Sequence, residues 1–274
     1  MKLGFLITAR LKSSRLRLKI MLPLNGYTVI ERIIHRAKKV VECQDIVLCT
    51  STNHQDLPLL RTAKAEGIYY FTGHSDDVLK RLTDAATLFQ FDFIIGITAD
   101  NPLFSIYHAN LLSDLVRQNH GLDFIYTSGM PIGVNIYAVN VKALTTVCAV
   151  KQHVDTEIWG YLINRPEIFN ILEIKASSEY IRKHYRMTLD ETDDYRFFKA
   201  LYHKFSKDDV VDVLDAYEIL DTHPEIPKLN SHVKQLDLDE KVKIMIDSYY
   251  KENKEKILDI KNRIYLSEKE IDRI

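Results

Sequence analysis

Cysteine is scarce in this chain and never paired. The 274 residues contain three, Cys43, Cys49 and Cys148, far apart and with no Cys-x-x-Cys spacing. That excludes a disulfide framework and a cysteine zinc site. It fits a reducing compartment in which the thiols are small buried hydrophobes. No apolar run approaches the roughly 18 residues of a membrane span, and the first residues lack the apolar region and cleavage site of a secretory signal. The expected location is the cytoplasm, with no membrane partner. Net charge is also nearly absent: 37 Lys and Arg against 38 Asp and Glu leave −1. A chain so balanced is not a general nucleic-acid binder. Glycine is missing between Gly4 and Gly26, so the early part of the chain carries neither a Gly-x-x-x-x-Gly-Lys-Ser/Thr phosphate loop nor a Gly-x-Gly-x-x-Gly dinucleotide fingerprint.

Against that neutral background one charge imbalance stands out. Lys2, Arg10, Lys12, Arg15, Arg17 and Lys19 crowd the first 21 positions, with no acid among them. Most of them follow "LGFLIT" (3–8), a short apolar run that reads as a buried strand. "TVIERIIHRAKKVVE" (28–42) then places Val29, Ile30, Ile33, Ile34, Ala37, Val40 and Val41 at helical spacing. "DIVLCTS" (45–51) reads as a second buried strand, 54–66 as a helix and "IYYF" (68–71) as a third strand. A helix over 76–89 is predicted with Ser75 as its N-cap. "FDFIIGITAD" (91–100) is the clearest strand and is broken at Pro102. Helix, strand and helix follow to about residue 150.

Strands alternating with helices through short joins predict an α/β domain, a mostly parallel sheet with helices on both faces. Such sheets bind ligands beyond the carboxyl ends of their strands. Residues 9–19 and 99–103 both follow strands and are expected at the same end, in one pocket. Beyond residue 225 the chain becomes charged and helix-forming, without internal repeats. We therefore expect an α/β domain over 1–224 and a C-terminal helical extension over 225–274.

The basic turn has what a polyphosphate requires. Tight-turn backbone N–H groups form an anion nest. The hydroxyls of Ser13 and Ser14 donate further, Arg10 and Arg15 can fork onto phosphate oxygens, and Lys19 adds a point charge. The ordinary alternative is a solvated basic loop.

"ARLKSSRLRLK" (9–19) resembles the Ala-Arg-x-x-Ser-x-Arg-Leu-Pro-Gly-Lys signature of cytidylyltransferases that activate sugars. The CMP-sugar synthetases belong to that group, and the spore-coat polysaccharide cytidylyltransferase group is the nearest in pattern. Arg10, Ser13, Arg15, Leu16 and Lys19 match, whereas Arg17-Leu18 replaces Pro-Gly. That change removes the glycine of closest backbone approach and adds a cation. "GHSDDVLKR" (73–81), "ITADNPL" (97–103), "PIGVNIY" (131–137), "KQHVDTEIW" (151–159) and "RMTLDETDDYRF" (186–197) are similar to further blocks of the spore-coat group, in the same order.

The resemblance implies a nucleotide-diphospho-sugar transferase (GT-A-like) fold. It also implies a Mg²⁺-dependent transfer of CMP from CTP to a sugar or small phosphorylated acceptor, with pyrophosphate released. The nucleotide site it implies comprises Ala9, Arg10, Ser13, Ser14, Arg15 and Lys19, with Ser75 and Asp76 near base or ribose. Mg²⁺ falls to Asp100 and Asp190, two carboxylates leaving room for waters and a phosphate oxygen. His153 falls on the acceptor side. Arg10, Lys19 and Asp100 are the residues expected to carry catalysis. The resemblance also implies a homodimer, with the apolar segments between 124 and 163 as the candidate interface.

Ordinary structural roles stand beside these. Asp100 suits a turn before Asn101-Pro102, Asp190 suits a helix N-cap, and Asp193 and Asp194 suit a first helical turn. Trp159, Tyr126, Tyr137 and Tyr161 suit core or subunit interface. The competing activities are a glycosyltransferase of related fold, which the absence of Asp-x-Asp at 100–102 opposes, and a non-catalytic nucleotide-binding protein.

Overall fold

The computed structural model describes residues 1–119, 121–153, 155–156 and 158–266. Its strands are β1 (Leu3–Thr8), β2 (Pro23–Leu24), β3 (Tyr27–Thr28), β4 (Ile46–Ser51), β5 (Tyr69–Gly73), β6 (Phe93–Thr98), β7 (Phe124–Ser128), β8 (Tyr137–Asn140) and β9 (Ile171–Lys175). The helices through residue 163 are α1 (Val29–Ala37), α2 (Leu57–Ala65), α3 (Val78–Leu88), α4 (Ile106–Gln118), α5 (Val141–Val150) and α6 (Gly160–Ile163). After β9 come α7 (Thr192–Tyr202), α8 (Val213–Thr222), α9 (Glu225–Lys228), α10 (Glu240–Glu252) and α11 (Lys254–Leu266).

Seven strands form one sheet in the order β5-β4-β1-β6-β8-β7-β9, while β2 and β3 make a small separate hairpin. All neighbours run parallel except β8, which is antiparallel to both β6 and β7. The expected mostly parallel sheet with helices on both faces is what forms.

The central strands read as unbroken apolar runs because both of their faces are covered. Phe5 and Ile7 of β1 point into a core shared with α1, α2, α4, α7 and α8. Leu6, between them, points into a second core with α3, α5 and α6. Ile246 and Tyr250 of α10 and Ile257 of α11 complete that second core. The Tyr250 hydroxyl donates to Leu162 O at 2.9 Å, and Lys261 Nζ reaches Asp123 Oδ2 at 2.6 Å. Residues 240–266 thus pack on the sheet's helical layer, and residues 267–274 of the expected extension lie outside the described residues. Trp159 and Tyr137 are locked edge to face, with ring centroids 5.0 Å apart, in that same core, and Tyr126 and Tyr161 pack against it. No described helix is long and apolar enough to cross a membrane.

Several boundaries differ from expectation: the helix expected over 54–66 is Leu57–Ala65, the strand expected at 68–71 runs Tyr69–Gly73, and two strands, β7 and β8, stand where one was expected before residue 150. Helix α1 stops at Ala37, and Val40 and Val41 pack on the core from the turn that follows. The cap of α3 is Asp77, not Ser75: Asp77 Oδ1 accepts from Lys80 N at 3.0 Å and from the Thr156 hydroxyl at 3.0 Å. A carboxylate held by two further partners, Thr156 and Lys151, outcompetes a serine two residues upstream for the free N–H groups of the first turn.

Candidate active site

In register, Thr8 of β1 stands opposite Thr98 of β6. The basic turn and the segment after Thr98 therefore leave the sheet side by side. The turn is pinned from below by Asp56, a buried acid whose Oδ1 accepts from Leu11 N at 2.7 Å and whose Oδ2 accepts from the Ser51 hydroxyl. Farther along, Ser13 Oγ accepts from Leu16 N at 3.3 Å. Leu18 then adopts φ 53°, ψ 28°, and its carbonyl accepts from Met21 N at 2.8 Å. This left-handed bend falls on the position where the resembled signature has glycine. A leucine there costs about 1–2 kcal/mol. The bend survives the substitution, with the Leu18 side chain turned outward to solvent.

The two acids arrive from segments 90 residues apart. Asp100 follows β6, and its Oδ1 accepts from the Thr98 hydroxyl at 2.6 Å. Asp190 is carried by an extended segment that begins with a parallel bridge between Ile132 and Arg186. Gly133 makes that approach possible. Its φ is +91°, and a Cβ there would lie 2.0 Å from Met187 O. Leu189 N then donates to Asp100 O at 2.7 Å. The backbone itself thus ties the stretch bearing one acid to the other.

Helix α7 is capped by Glu191 and Asp194 reciprocally, not by Asp190. The N-cap role suggested for Asp190 is corrected, and its carboxylate stands free of the helix to meet cations. Asp194 is fully buried and accepts from Asp190 N, Glu191 N and both Arg186 Nε and Nη2. Its expected structural role is borne out.

Two cations of the basic turn, Lys19 and Arg15, converge with Arg186 on the two acids. Lys19 Nζ donates to Asp100 Oδ2 at 2.9 Å and to Asp190 Oδ1 at 3.0 Å. Arg15 Nη2 reaches Asp190 Oδ1 at 3.0 Å, and Arg186 Nη2 reaches Asp190 Oδ2 at 2.8 Å. Burial works against the Lys19 charge, yet Asp100 and Asp190 outweigh it and hold the ammonium above its ordinary value. Burial would likewise raise the Asp190 carboxyl, but Lys19, Arg15 and Arg186 hold it below the usual carboxylate range.

Two cavities meet at this cluster. One, of about 360 Å³, is lined by Ala9, Arg10, Ser13, Ser14, Arg15 and Lys19, with both acids at its end. The other, of about 590 Å³, shares Arg15, Asp100 and Asp190 and continues to His153, Ile158 and the C-terminal residues Leu238, Val242 and Ile246. Leu236 borders both. Ser75 and Asp76 connect through Arg10, whose Nη1 lies 3.4 Å from Ser75 O and 3.7 Å from Asp76 Oδ1. Cys49 is buried, and burial pushes its thiol up to about 12, so it is inert. Among the described residues no cluster of three or more His, Cys, Asp or Glu side chains forms a cage for a metal. Two carboxylates that converge on one point, where Lys19 Nζ lies, suit a hard divalent cation that completes its shell with phosphate oxygens and water.

Sequence reasoning missed four contributors. Arg186 and Arg81 stand inside motifs already quoted, and the motif pattern was the available signal. Arg81 lines the first cavity, and its Nη1 donates to the carbonyls of His74 and Ser75. Asp56 and Gln235, the latter accepting from Arg186 Nη1 at 2.5 Å, carry no local signal at all.

A family model described as cytidylyltransferase matches residues 5–271. The chain is 26% identical over 231 residues to the spore coat polysaccharide biosynthesis protein SpsF of Bacillus subtilis, covering 81% of this chain and 95% of that one. Among solved structures it is similar to a cytidylyltransferase from Leptospira borgpetersenii, with a TM-score of 0.77 and 26% identity, over 87% of this chain and all of the other. It shares a fold with CMP:2-keto-3-deoxy-manno-octonic acid synthetase complexed with CTP, with a TM-score of 0.60 and 16% identity, over 74% of this chain and 99% of that one.

Proposed function

This chain belongs to the cytidylyltransferase family, and on that premise we propose a specific reaction. It transfers CMP from CTP to a sugar or small phosphorylated acceptor, releases pyrophosphate, and serves surface polysaccharide or glycan biosynthesis. The observation that supports this most is the meeting of Lys19 and Arg15 with Asp100 and Asp190 where the two cavities join. One cavity then takes the nucleotide and the other the acceptor, with the reacting phosphorus between them.

In this reading Arg10, Arg15 and Lys19 grip the triphosphate, and the turn from Ala9 through Ser14 cradles it. Asp100 and Asp190 would hold Mg²⁺, which would supply charge neutralisation at the α-phosphate for in-line displacement. The acceptor oxygen forms a bond to the α-phosphorus, a hydroxyl acceptor giving up its proton to solvent, as the bond from phosphorus to the bridging oxygen breaks and that oxygen leaves with pyrophosphate. Acceleration comes from positioning and charge stabilisation, without a protein nucleophile. Ser75 and Asp76, tied to Arg10, stand toward the base and ribose, and His153 stands toward the acceptor. A homodimer belongs to the same reading, and a monomer in sedimentation at micromolar concentration removes it.

The test has two arms. A thermal-shift series over the four nucleoside triphosphates with Mg²⁺ is expected to show the largest rise with CTP, since the preferred ligand stabilises by mass action. Incubation with CTP, Mg²⁺ and a panel of sugar acids and sugar phosphates is expected to release pyrophosphate. Stabilisation by CTP with no pyrophosphate from any acceptor would make the chain a nucleotide-binding protein instead.

A further inference from the structure

Each acid of the pair has one oxygen fixed by a neighbouring side chain and one that Lys19 holds, joined on Asp190 by the partly exposed Arg15. Asp100 Oδ1 is fixed by the Thr98 hydroxyl and Asp190 Oδ2 by Arg186 Nη2. The two remaining oxygens, Asp100 Oδ2 and Asp190 Oδ1, are those that Lys19 Nζ bridges. They are also the oxygens left to face a cation. A divalent ion coordinated at about 2.0–2.1 Å and an ammonium within hydrogen-bond reach of the same two oxygens exclude each other, by contact and by charge.

We infer that Lys19 acts as a coupling residue. In the nucleotide-free chain its ammonium occupies the place of the divalent cation, so metal and triphosphate bind cooperatively, each drawing Lys19 off the acids and onto phosphate. This rests on the nucleotidyl-transfer reading above.

Three features make the exchange workable. Lys19 also lines the smaller cavity, beside Arg10 and Ser13, so its four-carbon stem has an anion site to swing to. Asp190 stays placed when Lys19 leaves, because Arg186 holds its other oxygen and Asp194 holds its backbone N–H. Asp100 stays placed through Thr98 and through the hydrogen bond from Leu189 N to its carbonyl. The pair is therefore preformed and plugged, and removal of the plug needs no refolding. Coupling of this kind is reciprocal: CTP tightens the metal by the factor by which the metal tightens CTP.

The full-length chain is titrated with Mn²⁺, and free ion is read by electron paramagnetic resonance, with and without CTP and corrected for Mn²⁺ held by free CTP. Wild type is expected to bind Mn²⁺ at least about tenfold tighter with CTP present. Lys19→Met is expected to bind Mn²⁺ alone at least about tenfold tighter than wild type, and to lose most of the gain from CTP. Lys12→Met removes the same charge from the same cavity wall without touching either acid and is expected to change Mn²⁺ affinity in the absence of nucleotide less than about threefold, as a screened surface charge does. Equal Mn²⁺ affinity of Lys19→Met and wild type without nucleotide overturns the inference, as does an equal shift from Lys12→Met. Should Lys19→Met not fold, the wild-type titrations decide, and CTP-independent Mn²⁺ binding overturns it. Failure of CTP to bind in every arm refutes the nucleotide reading alone, since the metal-only comparison of Lys19→Met with wild type still measures the plug.

Discussion

The two cavities that meet at Asp100 and Asp190 are built in different ways. The smaller is walled mainly by one run of chain, the turn from Ala9 to Lys19, leaving the sheet beside Asp100. The larger draws on a segment near His153, on Gln235 and Leu236, and on α10, brought together from distant parts of the chain. The smaller wall is charged and hydroxylic, whereas the larger adds Ile158, Leu162, Leu238, Val242 and Ile246. Binding a phosphate chain is a local task that a few cations and turn amides accomplish. Shaping a pocket for an acceptor requires surfaces from several elements.

The largest way to break this contrast is at the shared boundary. Asp100→Asn is expected to lower turnover by about a hundredfold or more and to abolish the response to Mg²⁺. A steady-state rate with a normal Mg²⁺ dependence would remove Asp100 from the site. Next comes the smaller cavity alone. Arg10→Ala is expected to slow turnover by well over about tenfold, since one charged contact to the transition state is worth a few kcal/mol. An unchanged kcat/KM for CTP would show that the turn does not grip the nucleotide.

The larger cavity is probed with a milder change. Val242→Ala is expected to raise the acceptor KM by about three- to tenfold through lost apolar contact, with the KM for CTP unchanged. A rise in the CTP KM instead would merge the two cavities into one site. The smallest effect is at Leu18. Leu18→Gly relieves the left-handed strain and loses part of that gain to chain entropy, for a net stabilisation under about 1 kcal/mol. In a chain of this size that raises Tm by at most about 4 °C, and a fall in Tm would mean that the leucine side chain packs after all.

The same contrast governs how much was legible beforehand. β1, β4 and β6 were readable because buried parallel strands are continuous apolar runs. The basic turn was readable because its cations are contiguous and unopposed. Arg186 was overlooked although it stands in a quoted motif, because its role depends on reaching Asp190 and Asp194 at once. Asp56 offered no pattern, since a lone acid 45 residues from Leu11 acquires meaning only when β1 and β4 lie side by side. The tyrosines and Trp159 resisted assignment for a related reason. What covers them is α5, α6 and the C-terminal helices, and composition does not reveal which surface a helix will cover.

By itself the sequence determined the α/β order, the placement of the basic turn at a strand end and the chemical types of the site, because these follow from periodicity and from residues adjacent in the chain. Tertiary structure alone decided that Asp190 reaches Asp100, that Lys19 plugs the space between them and that α10 walls the second cavity. Those depend on Gly133 admitting Met187 and on Leu189 N finding Asp100 O, contacts between segments whose meeting no local pattern encodes.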